Sequence, residues 1–413
     1  MRRSPRFRVA ISLGGSALLL AASFAAAPGA AASGMTLYVS PGGASGGADT
    51  SCATAAYTTI NGAVTAAAAG DTVVACAGTY TEDVAVSKPL TLVGQGATID
   101  ATGFDNGVKI SASYVTVTGF TVENATGEGI LAQQPNPVKG PVVGGTQLYT
   151  GVPITHVKIA RNVVQHNDQG GLPANAATTT YPECQASGNV PGDCGEGIHL
   201  WSVADSSVLL NTVTDNVGGI LLTDEFGPTH GNLIAGNVVT NNALDCGITL
   251  PSHNLAIDPK TLKPMPAFGG VYDNVVRNNI TTGNGGAGVG IFAPFPGAAS
   301  YDNVVKGNAI SGNGEAGVSL HGHAPGAFVG GNQILDNVIG PNNLGGDQDV
   351  TPAPDLATTG ILVWSAVTPI KVTISGNILF GSWYGIWLGH VVNAPGAAAR
   401  NTFWSTPTHV HKA

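Results

Sequence analysis

One short pattern recurs along most of the chain. A glycine followed by isoleucine or valine, then alternating apolar residues, appears as GIHLW at 197, GILLT at 219, GITLP at 247, GIFAP at 290, GVSLH at 317, GILVW at 360 and GIWLG at 385. The isoleucine or valine positions, 198, 220, 248, 291, 318, 361 and 386, are separated by 22, 28, 43, 27, 43 and 25 residues. Four of these steps fit one coil of about 25 residues, and the two long ones a coil plus an insertion. A unit this short cannot bury an apolar face alone, so the chain must stack its units on one another.

A second signature lies upstream of these strands. Asparagine pairs five residues apart occur at Asn162/Asn167, Asn211/Asn216, Asn237/Asn242, Asn279/Asn284 and Asn308/Asn313. Asparagine tolerates left-handed backbone and bonds neighbouring amides, so stacked copies would satisfy turn groups along a solenoid. Composition agrees: 59 glycines and only 10% charged residues in 413 favour many short strands and tight turns over helices.

Three short strands per coil describe a parallel β-helix. The pattern resembles the right-handed β-helix repeats of the pectate-lyase-like superfamily, over roughly residues 70 to 395. The resemblance implies an all-β, right-handed parallel β-helix solenoid. It does not fix an activity, because that superfamily holds lyases, hydrolases, epimerases, esterases, adhesins and periplasmic accessory proteins. The segment from Tyr57 to Gly96 looks like the opening of pectin methylesterases, but the expected Gln-Asp-Thr strand and the arginine followed by Pro-Trp are not found downstream. That segment starts with a short amphipathic helix carrying Ile60, Ala63, Val64 and Ala67 on one side, capped near Thr58 or Thr59 and placed to cover the open end of the solenoid.

The expected organisation is therefore a signal peptide over 1–32, an N-terminal strand and capping helix over 33–70, the β-helix over 71–395 and a C-terminal tail or cap over 396–413. Arg2, Arg3, Arg6 and Arg8 ahead of an apolar run from Val9, with small residues at Ala30 to Ala32, carry the export reading. Export places five cysteines in an oxidising setting, where Cys52 is expected to pair with Cys76 and Cys184 with Cys194, leaving Cys246 as a packed thiol. A net charge of -9 that becomes more negative on removal of the leader argues against nucleic acid or anionic membranes as partners, and a monomer without membrane contact is expected.

Strand alternation places Ile198/Leu200, Ile220/Leu222, Ile248/Leu250, Ile291/Ala293, Val318/Leu320, Ile361/Val363 and Ile386/Leu388 inward. The outward positions and the turns after them hold His199, Trp201, Thr223, Asp224, Glu225, Thr249, His253, Phe292, Phe295, Ser319, His321, His323, Leu362, Trp364, Trp387 and His390. Rungs about 4.8 Å apart make this a stripe on the order of 29 Å long. Its aromatic and polar residues would suit sugar rings, with insertions at 133–153, 171–194, 251–268 and 341–358 as walls; the alternative is that those insertions cover it as a satellite core.

The expected active centre is Asp224, Glu225, His199 and His253, with Trp201, Phe292, His321, His323, Trp364, Trp387 and His390 holding an extracellular polysaccharide. Hydrolysis would use two carboxylates, with Glu196 one coil away and Asp245 before the next strand as further candidates, and requires no cofactor. Lyase or epimerase chemistry would use a histidine base and a positive group for the uronic carboxylate. The stripe holds no lysine or arginine, so a cation such as Ca²⁺ on Asp224 and Glu225 is the candidate for that role. Two other classes stay open: a non-catalytic glycan- or cell-wall-binding surface module, and a periplasmic metal-cofactor accessory protein, for which His321-x-His323 with His253 would be the ligands.

Overall fold

Short β-branched runs separated by left-handed turns oblige the chain to bend every few residues, and the computed structural model shows the result. It describes residues 34–43, 48–143, 146–167, 195–258, 260–265, 268–347 and 357–413. The expected signal segment and the expected Cys184–Cys194 bridge lie outside these residues. The chain winds through three parallel sheets of eleven strands each, visiting them in turn. One complete coil is Ser207–Leu209, Thr212–Thr214 and Gly218–Thr223; the next coil stacks Leu233–Ala235, Val238–Thr240 and Ile248–Pro251 on it in parallel register.

The interior is a continuous apolar column. All fourteen positions assigned inward by alternation fall in one core cluster and are almost completely buried. The expected alternation is thus the observed one.

The turns are held by asparagine ladders. In one, each Nδ2 donates to the Oδ1 of the next rung, from Asn162 through Asn211, Asn237, Asn279, Asn308, Asn337 and Asn377 to Asn401, at 2.8–3.0 Å. A second runs from Asn167 through Asn216, Asn242, Asn284 and Asn313 to Asn342. A third, not anticipated, joins Asn232, Asn274, Asn303 and Asn332.

Helix Ile60–Ala66 is capped by Thr59, whose side chain accepts from Gly62 N, and Glu82 accepts from the Ile60 and Asn61 amides. Its buried face of Ile60, Ala63 and Val64 packs on strands Thr36–Val39, Thr72–Ala75 and Val84–Val86, the first rungs of the solenoid. Cys52 and Cys76 are bridged, and Cys246 is a buried free thiol. Residues 396–413, expected as a tail or cap, instead supply strands Thr402–Trp404 and Thr408–Lys412, the last rungs of two long sheets. No helix among the described residues is long and apolar enough to cross a membrane.

Candidate functional site

The sheet from Val84–Val86 to Thr408–Lys412 carries the outward residues. Its register aligns one column of His199, Leu221, Thr249, Gly290, Ser319, Leu362 and Trp387, and places Phe292, His321 and Trp364 in a second. Sequence alternation had these on the correct side of the sheet. What it misjudged is their exposure.

Most of the face is covered. His199 is 2% exposed, Trp201 1%, His321 0% and Trp387 9%. Trp201 lies between the rings of His199 and Phe226, at 5.3 and 4.5 Å, so it offers no face to a sugar. Over Phe226 sits Tyr149, at 5.3 Å, on the antiparallel hairpin Val138–Val143/Thr146–Thr150, and Asn254 ties the hairpin down by donating to the Tyr149 carbonyl at 2.8 Å. Trp387 packs with Leu362, Ala316, Trp364 and Tyr384 in a satellite core. Phe292, His323 and Trp364 stay half-buried around His321, and His390 is exposed in the turn after the last of these strands.

Outward groups of the central coils form two hydrogen-bonded sets that adjoin at residues 223–225. His199 Nδ1 meets Glu128 Oε1 at 3.1 Å, and its Nε2 meets Thr223 Oγ1 at 2.8 Å. Two residues after Thr223, Glu225 places its Oε1 2.8 Å from His253 Nδ1. Burial pushes the Glu225 carboxyl up, but the hydrogen bond and positive charge of His253, aided by His199 and Thr223, hold it below the usual carboxylate range.

Asp224 has a different task. Its oxygens accept from Ser252 Oγ at 2.9 Å, His253 N at 2.6 Å and Gly270 N at 2.5 Å, so it braces the turn that carries His253. Burial, reinforced by the Glu225 charge, pushes its pKa up to about 6 despite those donors. With its oxygens committed to three donors, Asp224 is not placed to join Glu225 around Ca²⁺, and the expected calcium pair is not what the geometry presents.

The carboxylate and imidazole set with metal-ligand spacing is a different one: Glu128, Glu196 and His199, with one donor atom from each within 4.8 Å of the others. The register Ile130↔Ile198 makes Glu128 and Glu196 equivalent residues of successive rungs. Gly197 lets this happen: a Cβ there would lie 2.3 Å from the core methyl of Val213, so glycine occupies the inner side and Glu196 emerges beside His199. Glu128 was missed in the sequence, although Gly-Glu-Gly-Ile at 127–130 recurs at 195–198.

Further along, Ser319, His321 and Asp347 are buried together. His321 Nε2 contacts both Ser319 Oγ, at 2.7 Å, and Asp347 Oδ2, at 3.0 Å. A nucleophilic relay needs the carboxylate and the hydroxyl on opposite ring nitrogens, so this is a packed polar cluster rather than a triad. His253 is not among these contacts, and the three-histidine metal set is not formed.

Residues 267–393 match the family described as right handed beta helix region, and residues 60–257 the family described as periplasmic copper-binding protein (NosD). No curated protein matches the chain. Among solved structures, pectate lyase Pel9A is similar over 90% of this chain and 80% of its own, with a TM-score of 0.53 and 14% identity. An alginate lyase from Paenibacillus sp. str. FPU-7 is similar over 91% and 99%, at 0.49 and 13%. The A-module of the Azotobacter vinelandii mannuronan C-5 epimerase AlgE4 is similar over 83% and 91%, at 0.47 and 15%. The chain therefore has the right-handed parallel β-helix fold. Copper(I) selects thiolate and thioether sulfur, and the set of two carboxylates and one imidazole does not fit it.

Proposed function

We propose that the protein is a secreted polysaccharide-active enzyme whose working pair is Glu225 and His253. The observation that supports this most is their 2.8 Å hydrogen bond on the outward face of a β-helix, with Asp224 clamping the His253 backbone and His253 keeping 12% of its side chain exposed. A carboxylate on Nδ1 fixes the ring and raises the basicity of the opposite nitrogen, which suits removal of a proton beside a uronic carboxylate. Hydrolysis by two carboxylates fits less well, because Asp224 is fully buried behind its three donors. The likeness to pectate lyase Pel9A agrees with this reading at the level of fold. A cleft of about 720 Å³ opens at the root of the hairpin, with Gln134, Val152 and Pro228 in its wall, and Pro228 belongs to the same turn as Glu225.

The test is a panel of polyuronates and neutral glycans, reading unsaturated uronate absorbance, reducing ends and epimer composition. His253→Ala and Glu225→Gln are expected to remove the activity that wild type shows. Wild-type inactivity across the panel, with retained glycan binding, would move the protein to the second reading, a non-catalytic glycan-binding module.

A further inference from the structure

We infer that Glu128, Glu196 and His199 form a site for a divalent first-row transition-metal cation, of the Zn²⁺ or Mn²⁺ kind, buried beneath the working face. The site is distinct from Glu225 and His253 but tied to them, so it rests on the reading above only for its consequence and not for its existence.

Three observations converge. The donor atoms, two carboxylate oxygens and one imidazole nitrogen, lie within 4.8 Å of one another, and all three residues are at most 4% exposed. Glu128 Oε2 has no hydrogen-bond partner although the residue is 4% exposed, and a buried carboxylate oxygen left so is costly unless something positive meets it. Opposite Glu196 in the register stands Gly218, where a Cβ would come within 3.1 Å of the Glu196 side chain; the space is kept open by the choice of glycine.

Donor chemistry and orientation point the same way. Two carboxyl groups converge on one imidazole in a buried volume, a donor set that a cation completes. His199 Nδ1 faces Glu128, while Nε2 meets the Thr223 hydroxyl at 2.8 Å. A ligating histidine is held in this way, by an outer partner on the nitrogen that does not face the metal. Here that partner stands two residues before Glu225 in the chain, so the cation would fix the strand end that carries the Glu225–His253 pair. The imidazole favours Zn²⁺, and a set of only three protein donors falls short of the six to eight oxygens that Ca²⁺ takes; Mn²⁺ would be held mainly by the two carboxylates.

The full-length secreted protein, treated with chelator and dialysed, is titrated with ZnCl₂, MnCl₂ and CaCl₂, reading bound metal by mass spectrometry and melting temperature in the absence of any glycan. One Zn²⁺ or Mn²⁺ per chain and a raised melting temperature are expected, with little response to Ca²⁺. Glu128→Gln and His199→Gln are expected to abolish the bound equivalent, and Thr223→Val to weaken it by about 10- to 100-fold. Should the two ligand variants fail to fold, X-ray absorption on the Zn²⁺-loaded wild type reads the shell directly; one nitrogen with oxygens supports the site. A shell without nitrogen, substoichiometric binding by wild type, or undiminished binding in both ligand variants overturns it. Metal binding without polysaccharide activity leaves this inference standing and defeats only the enzyme reading. Full activity in metal-free protein does the reverse for the link to Glu225.

Discussion

The asparagine ladders and the outward face of the site sheet run along the same solenoid on the same rungs, yet they obey opposite rules. In the ladders one residue type recurs because every turn poses one problem, a buried set of backbone groups, and Nδ2 and Oδ1 solve it identically each time. On the outward face the column changes at every rung, from His199 to Leu221, Thr249, Gly290, Ser319, Leu362 and Trp387. Its buried polar groups meet in individual pairs, Glu128 with His199, Glu225 with His253 and His321 with Asp347. Periodic columns therefore hold the fold, and the aperiodic column is free to carry chemistry.

The sharpest break of that contrast is at Asn279. Alanine there removes the bonds donated to Asn308 Oδ1 and the Ile234 carbonyl and those accepted from the Asn237 amide and Nδ2. Four buried bonds at about 1 kcal/mol each predict a loss on the order of 4 kcal/mol, read by urea unfolding. Glu225→Gln is expected to invert the pattern: turnover down by about 100-fold or more, the loss typical of an acid/base group or its orienting partner, with unfolding nearly unchanged. If Asn279→Ala proved neutral while Glu225→Gln unfolded the chain, the division between periodic and aperiodic columns would be wrong.

A pH scan separates the two columns without mutation, since the ladders do not titrate. Asp224 is raised to about 6 by burial and by the Glu225 charge, so the folded state holds a proton that the unfolded chain has released. Stability from this group is greatest below its unfolded pKa and falls as pH rises through about 6. Glu225, held low, has the opposite sign and loses its contribution only when pH drops below the usual carboxylate range. Asp245 is likewise pushed up to about 6 by burial, so melting temperature is expected to fall between about pH 4 and about pH 6, and Asp224→Asn to reduce that slope whatever it does to the baseline. A slope unchanged in Asp224→Asn would assign the titration elsewhere.

Legibility followed the same division. Alternation gave the side of the sheet for the fourteen inward positions between Ile198 and Leu388, because inward positions answer only to the coil's own period. The ladders through Asn162 and Asn167 were visible as a five-residue spacing; the one through Asn232 stands five residues ahead of the first, as in Asn232/Asn237 and Asn274/Asn279, and escaped because only pairs were counted where the chain repeats a triplet. Exposure could not be read, since whether Trp201 meets solvent depends on Phe226 and on a hairpin some fifty residues upstream at Tyr149. Glu128 escaped because its rung, GEGIL, lies before the block in which the repeat was counted, and its partner His199 is separated from it by 71 positions.

The smallest expected effect distinguishes covered from uncovered aromatic residues on the one face. Trp364 is half-buried, with its ring 6.3 Å from His323 and 6.5 Å from His321, and it borders the Trp387 core without being enclosed by it. Trp201 is enclosed between two rings and 1% exposed. Alanine at 364 should weaken binding of long glycans by about 1 kcal/mol, the range of an aromatic stacking contact, while changing the turnover of short ones little. Alanine at 201 should cost about 3–5 kcal/mol of folding stability, as for a large ring removed from a core. Affinity electrophoresis on a glycan gel and thermal melts read both. Equal affinity losses in the two variants would mean that the cover over Trp201 opens for substrate, and Trp201, His199 and the buried Glu128 would then belong to the binding surface.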